Sequence, residues 1–470
     1  VPVLAIDQGT SSTKAIVLDD DGIVVAKVTK SVTTRTVADQ VTQDPAELLA
    51  SVIGAGREAV AHSGRSIDAV GLANQGETVM AWDRVSGAPD GPAISWQDGR
   101  AAAVCGRLQD HAERLHALTG LPLDPYFSAP KLTWLQEQGA KGAVTTSDTW
   151  LLHQLTGEFV TDVTTASRSL VLDLDARQWS SEALELFGLP LEAMPRLTTC
   201  AEVVGYTNAF GPDIPISGLA VDQQAALIAQ GCLESGLAKC TYGTGAFLLL
   251  STGSTSLRST SGLSSSVAFE AGGSHGYCLD GQSYTAGAAI SWLARIGLLR
   301  DPAALDAALD GALDRELVAV PALAGLGSPW WSPSARGTIE GLGLESTAED
   351  IIRAVIEGVC AQIAILCRAA TKDMGSPLQA LRVDGGLTRS SSLLQIQADL
   401  LQIPVEVYPS PDATALGVAA LARCGRDGGP FEPPAFEPVA VVEPSMTADE
   451  AGHRLARFEA AVARSLEASK

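Results

Sequence analysis

Relative to acid, base is what this chain lacks: in 470 residues, 32 Lys and Arg stand against 54 Asp and Glu, a formal net charge of −22. A nucleic-acid binder needs a basic face to displace the counterions of the phosphate backbone, so that class is excluded. The acid surplus reads as a solubility property of the surface. No run of 18 uninterrupted apolar residues occurs, and the start V-P-V-L-A-I-D-Q-G enters a strand with no basic stretch ahead of an apolar one. The expectation is a cytoplasmic protein with no membrane partner. The eight cysteines form no C-x-x-C pair and no His-paired zinc spacing, which predicts buried free thiols in a reducing compartment. The six histidines show no nucleophile–base spacing. Also missing are G-x-x-x-x-G-K-[ST] and G-x-G-x-x-G, so neither a Walker loop nor a dinucleotide turn is present.

What is present begins with length. At 48.6 kDa the chain exceeds what one core usually supports, and two domains are expected. Forty-six glycines and the alanine-rich runs favour tight helix–sheet packing in an α/β protein. Two glycine turns stand far apart: D-Q-G-T-S-S-T-K (Asp7–Lys14) and T-Y-G-T-G-A-F (Thr241–Phe247). Each follows a strand-like run and offers small residues whose N–H groups approach an anion closely, together with hydroxyls. Each therefore reads as one jaw of a phosphate clamp, and two such jaws suggest two similar domains closing on one nucleotide.

Along the chain, residues 3–6, Ala15–Leu18 and Ile23–Val28 read as an antiparallel meander, with D-D-D-G (Asp19–Gly22) as its second turn. A helix is expected over 46–62 and a strand over Ile67–Ala73, leading into N-Q-G-E-T. The stretch from 100 to 200 reads as mostly helical. In the second half, Lys239–Tyr242 enters the G-T-G turn and Phe247–Ser251 leaves it. A helix over 348–370 carries Ile351, Val355, Val359, Ile363 and Leu366 on one stripe. Strand Ala380–Val383, the turn D-G-G (Asp384–Gly386), a helix over 390–401 and strand Val405–Tyr408 follow. Gly425–Pro444 reads as a loop, and a last helix starts at Thr447, where T-A-D-E predicts a capping box with Glu450.

Three elements bear chemistry. Asp7 ends a strand beside Gly9, Thr10, Ser11, Ser12, Thr13 and Lys14. A carboxylate there can hold Mg²⁺ through water while the hydroxyls and Lys14 meet phosphate oxygens; a plain polar turn is the other reading. Asp222 opens D-Q-Q-A-A-L after a strand-like run. It reads either as a helix N-cap or as a general base that takes the proton of an attacking hydroxyl. D-G-G-L-T-R-S (Asp384–Ser390) joins a strand to a helix, where α/β sheets bind flat ligands.

Taken in order, these elements resemble the FGGY carbohydrate kinases, nearest their glycerol kinase subgroup. The stretches Asp124–Glu137, T-D-V-T-T-A-S-R (Thr161–Arg168), Ser328–Leu342 and Ala380–Gly386 strengthen the likeness. The resemblance implies an α/β protein of two ribonuclease-H-like domains, of the actin/Hsp70/hexokinase type, around a nucleotide cleft. An N-terminal domain over 1–218 would hold substrate and one phosphate jaw. A C-terminal domain over 219–470 would hold the base, the second jaw and the adenosine site. It implies ATP and Mg²⁺, a small polyol or sugar as substrate, and leaves homo-oligomers open. Asp222 would be catalytic and Asp7 would face the metal. Thr10, Ser11, Ser12, Thr13, Lys14, Thr244, Gly245, Gly287 and Gly386 would contact nucleotide, with Ser291 and Ser390 where the family often has Gln and Asn. Glu77, Trp96, Tyr126, Asp222, Gln223 and Phe247 would line the polyol pocket. One departure stands out: the subgroup has N-Q-R-E-T where this chain has N-Q-G-E-T, so Gly76 replaces an arginine that holds glycerol hydroxyls. That change points to an altered, larger substrate. A true glycerol kinase and a non-catalytic nucleotide-gated regulator are the alternatives.

Overall fold

The computed structural model describes residues 2–38, 40–313 and 316–469. Two large mixed sheets organise it. In the first, strands Val3–Gln8, Ser12–Leu18 and Val24–Ser31 form the expected antiparallel meander. Ala69–Asn74 and Ile214–Val221 extend it in parallel beside Val3–Gln8, and Gly205–Thr207 closes that edge. The second sheet repeats the plan. Ala238–Tyr242, Ala246–Gly253 and Ser274–Ser283 pair antiparallel, with Ser264–Ala271 beyond them. Leu381–Gly385 and Val405–Val407 run parallel to Ala238–Tyr242. A parallel strand buried on both faces must be apolar throughout, as Ala69–Asn74 is.

The helix Pro45–Ser63 covers the first sheet, its N-terminus capped by Asp44, which accepts from Ala46 N. Ala348–Met374 packs on the second with Val355, Val359, Ile363 and Leu366 buried; Ile351, in its first turn, is half-buried. A smaller five-stranded sheet is inserted in sequence among the strands of the first, built from Thr34–Val37, Gln40–Gln43, Val79–Trp82, Ala93–Ile94 and Ala143–Thr146. It carries the residues around Glu77 and Trp96.

Several expectations need correction. The stretch from 100 to 200 holds five short strands besides its helices, among them Ala143–Thr146 and Val160–Asp162. These are too short for a period-two pattern to emerge. The Gly425–Pro444 interval contains the last three residues of helix Ala413–Asp427 and an edge strand, Ala440–Val442, paired with Val405–Val407. Thr447 does cap the last helix, accepting from Glu450 N at 3.3 Å, but Glu450 turns its carboxylate to Arg454. The reciprocal capping box occurs at Thr347 and Asp350 instead.

Helix Ala413–Asp427 is one that the sequence pattern does not announce. Its sequence is alanine- and glycine-rich and shows no polar face before its last turn, because it is packed on several sides. It leaves the second sheet and lies across strands Val3–Gln8, Ala69–Asn74 and Ile214–Val221 of the first, beside helix Asp222–Ala229. The contact is backbone on backbone. A Cβ at Gly71 would lie 2.6 Å from Val418 O, and Cβ atoms at Gly218 and Gly417 would overlap the backbones of Ala422 and Ala225. Gly417→Val should therefore destabilise the fold by about 1–3 kcal/mol, the usual cost of overpacking. Denaturant melts check this, and an unchanged midpoint contradicts the close packing.

Candidate active site

The turn after Asp7 is held open from both sides. Trp96 Nε1 donates to Thr10 Oγ1 at 2.8 Å and Gln43 Nε2 to Thr10 O at 2.7 Å. Thr10 and Ser11 face a cavity, and Ser12 is half-buried beside them. Thr13 departs from expectation. Strand alternation turns it to the opposite face, where its hydroxyl is fully buried and shares a 2.6 Å hydrogen bond with Ser51, so it does not belong to the jaw. Lys14 lies across the ladder from Asp7. Its ammonium pairs with Asp412 at 3.1 Å and donates to Pro411 O at 3.3 Å. Lys27 holds the same Asp412 at 2.7 and 2.9 Å.

The second turn faces the first. Thr244 and Gly245 border the same cavity, and a Cβ on Gly245 would lie 2.5 Å from Ser283 O. Gly287 stands behind that turn: its N–H donates to Gly243 O at 3.0 Å, and a Cβ would lie 2.6 Å from the same oxygen. It seats helix Gly287–Arg295 against the jaw rather than lining the cavity.

Asp222 is the first residue of helix Asp222–Ala229, with Val221 in the cap position, so the N-cap reading fails. It is half-buried, open to the cavity and otherwise enclosed. Burial first, and then the neighbouring Asp7 charge, push its carboxyl up to about 7, against the pull of Lys239. Burial likewise raises Asp7 to about 6, opposed by Lys14 and assisted by Asp412 and Asp384. Lys239 is itself buried, donating to Gln223 Oε1 at 2.6 Å and to Thr241 Oγ1 at 2.9 Å; Thr241 in turn donates to Asp384 Oδ1 at 2.6 Å.

Glu77, Trp96, Tyr126, Asp222, Gln223 and Phe247 all border one cavity of about 340 Å³. The Trp96 ring meets Tyr126 and Phe247 edge-on, with centroids 5.6 and 6.0 Å apart. Gly76 does not border it. Its φ is +65°, and a Cβ there would face Val221 Cγ1 at 3.3 Å. Two charged residues in the wall carried no role in the sequence reading, Arg168 and Asp280. Arg168 Nε donates to Glu77 Oε1 at 2.6 Å, and Nη1 lies 3.5 Å from Asp280 Oδ1. Arg168 sits in the stretch T-D-V-T-T-A-S-R, but no local pattern marks a buried arginine whose partners lie 91 and 112 residues away.

A second cavity of about 460 Å³ opens beside Gly386 and Ser390, with Ile290, Asp301 and Asp306. Gly385, at φ +100°, lets the D-G-G turn press on the Tyr242 backbone. Ser390 caps helix Ser391–Leu401, accepting from Leu393 N at 3.1 Å, and its hydroxyl is committed to Asp306. Ser291 follows Ile290 but is exposed and outside the cavity wall.

A hard cation suits Asp7 and Asp222, whose mutual repulsion a positive charge would relieve. Among the described residues no three carboxylates or histidines converge on one point. A magnesium ion here would thus keep mostly water and phosphate oxygens as ligands. Also among the described residues, no helix is long and apolar enough to cross a membrane, and the cysteines are free thiols, all but Cys424 buried.

Two duplicated sheets with facing glycine turns, an acid between them and a cavity on each side define a nucleotide-dependent phosphotransferase of the actin/hexokinase type. The comparisons agree. Residues 2–229 match the N-terminal domain, and 238–425 the C-terminal domain, of the FGGY family of carbohydrate kinases. A glycerol kinase of Myxococcus xanthus is 40% identical over 98% of this chain and 99% of its own, and one of Rhizobium rhizogenes is 43% identical over 89% of each. Among solved structures, a Plasmodium falciparum glycerol kinase with ADP superposes with a TM-score of 0.87 at 29% identity, covering 99% of this chain and 98% of that one. A xylulose kinase of Brucella ovis gives 0.87 at 26% identity over all of both chains. The chain belongs to the FGGY family of carbohydrate kinases, ATP-dependent phosphotransferases with an alcohol group as acceptor.

The raised Asp222 carboxyl has a consequence for stability. The native state keeps a proton that the unfolded chain releases at 3.8, so stability falls as pH rises from there to about 7 and the loss is complete above. Asp222→Asn stays neutral throughout. It should melt higher than the unaltered protein at pH 8, with the gain shrinking toward zero near pH 4. A pH-independent difference in thermal melts contradicts this environment for Asp222.

Proposed function

We propose that this kinase transfers the γ-phosphoryl group of ATP to a hydroxyl of a polyol or short ketose of four or five carbons. The observation that carries the reading is the half-buried Asp222, poised near neutrality between the two glycine turns and opening on a cavity walled by both carboxylate and aromatic groups. Asp222 accepts the proton of the attacking hydroxyl, since a base poised near the working pH is both free to accept and strong enough to do so. Glu77 and Gln223 hold acceptor hydroxyls, while Trp96, Tyr126 and Phe247 cover its carbon chain. Thr10, Ser11, Ser12 and Lys14 on one side, and Thr244 and Gly245 on the other, receive the phosphates. Gly386 and Ser390 border the adenosine side, with Gly287 and Ser291 on the helix behind the second jaw. Asp7 would hold a magnesium ion through water, and such an ion would supply charge neutralisation for the phosphates. Residues 1–218 and 219–470 serve as the two closing halves, with the crossing helices 222–229 and 413–427 at their junction.

The larger acceptor follows from Gly76. Gly76 itself stands outside the cavity wall, so an arginine there would act only by reaching in; without one, glycerol loses a charge-assisted donor worth about 1.5–3 kcal/mol. A glycerol kinase proper is the second reading, favoured by relatives of that name at 40–43% identity. A non-catalytic regulator is the weaker third, since it has no use for a poised base.

Three outcomes are expected. Asp222→Asn keeps ATP binding and lowers turnover by about 10²–10⁴-fold; in the unaltered enzyme kcat/KM rises with pH through an apparent pKa near 7. Near-normal turnover in the variant removes Asp222 from the chemistry. In a coupled ADP-release assay, kcat/KM is higher for a C4–C5 polyol or ketose than for glycerol. Gly76→Arg shifts that ranking toward glycerol, with some loss of stability from its left-handed backbone. Glycerol preferred over every longer acceptor, with Gly76→Arg leaving the order intact, supports the second reading instead. Finally, ATP with acceptor compacts the molecule in small-angle scattering; no change argues against a closing cleft.

A further inference from the structure

The arginine missing at position 76 has a counterpart reached from elsewhere in the chain. Arg168 follows the short helix Val163–Ala166 and is almost wholly buried in the wall of the acceptor cavity. Its Nε is taken by Glu77 at 2.6 Å. Its Nη1 faces Asp280 Oδ1 at 3.5 Å, too long for a full hydrogen bond, and both atoms are left without another partner. The guanidinium also lies 5.7 and 5.3 Å from the ring centres of Tyr126 and Phe127, which restricts its motion. Glu77 and Arg168 come from the first half of the chain, whereas Asp280 stands on strand Ser274–Ser283 of the second sheet. A loosely made ion pair thus spans the two halves at the acceptor site.

We propose that Arg168 and Asp280 form the specificity pair for the acceptor, reading the hydroxyls of a neutral polyol or ketose longer than glycerol by the charge-assisted hydrogen bonds that position 76 cannot offer. This rests on the kinase reading above. Nη1 and Oδ1 are themselves closed off, but both residues border the cavity, and a hydroxyl, donor and acceptor at once, can meet the rest of the guanidinium and of the carboxylate together. Neutrality follows from the charges in the wall: Glu77, Asp222 and Asp280 stand against Arg168 alone. An acceptor bearing a carboxylate would add a fourth negative charge beside them. Because the pair joins the two halves, an acceptor that engages both residues also favours closure, which a shorter one does less well.

The test compares the unaltered enzyme with Arg168→Gln, Arg168→Lys and Asp280→Asn in ADP release, using glycerol, erythritol, ribitol, xylulose and gluconate as acceptors. Arg168→Gln should raise KM for the four- and five-carbon compounds and lower their kcat/KM relative to glycerol by about tenfold or more, with KM for ATP little changed. Arg168→Lys keeps the charge without the fork and should fall between. Should Arg168→Gln fail to fold, Asp280→Asn decides, because it preserves shape, removes a buried charge and should move the same ratio in the same direction. An unchanged ratio, with all acceptors falling together, makes the pair structural and overturns the inference while the kinase reading stands. Preference for gluconate also overturns it. Turnover of no acceptor by the unaltered enzyme sinks the kinase reading, and this inference with it.

Discussion

Asp7 feels the charges of three other carboxylates, Asp222, Asp384 and Asp412, and the arrangement around them is a response to that repulsion. Each would be costly alone in a partly dehydrated site. Lys14 and Lys27 hold Asp412, while Lys239, buried behind the second jaw, draws on Asp222 and Asp384 together. The compensation is incomplete: Asp7 and Asp222 remain shifted upward. Burial first, and then the uncompensated charge of Asp7, leaves Asp222 basic enough to take a proton, and the same excess of negative charge makes the site receptive to a cation accompanying phosphate.

The duplicated sheets explain how such a cluster is assembled. In each half an antiparallel hairpin turns beside a parallel strand, and the turn delivers its residues to the same edge: Asp7 and Thr10 in one, Thr241 and Thr244 in the other, with Asp384 ending the neighbouring strand. The halves are pinned where helix Ala413–Asp427 crosses onto the first sheet through backbone contacts at Gly71, Gly218 and Gly417. Asp412 immediately precedes that helix, so the ion pair with Lys14 and Lys27 ties the crossing to the first jaw. What distinguishes the halves is the small sheet beside Glu77 and Trp96, which among the described residues has no equivalent beside the second jaw.

Much of this was legible in the chain itself. The meander, the two glycine turns and the long amphipathic helices announce themselves through local periodicity and turn chemistry, and Asp222 stands at a recognisable strand-to-helix junction. What escaped depends on distant partners or on burial that erases pattern. Helix Ala413–Asp427 lacks a polar face because it is packed on several sides. Lys239 and Arg168 look like ordinary charged residues until the fold brings their carboxylates to them. Proximity in sequence places Thr13 in the jaw, whereas strand alternation sends it to the core. Gly76 is a further case: the residue type suggests vacated space, but the residue lies outside the cavity wall, facing Val221, and makes a left-handed turn there.

The most direct test of the account is phosphorus NMR of the enzyme with ATP, magnesium and a mixture of glycerol and C4–C5 polyols and ketoses. The account predicts a phosphomonoester growing in step with ADP, carried mainly by a four- or five-carbon acceptor. ADP accompanied only by inorganic phosphate, or no ADP at all, contradicts it.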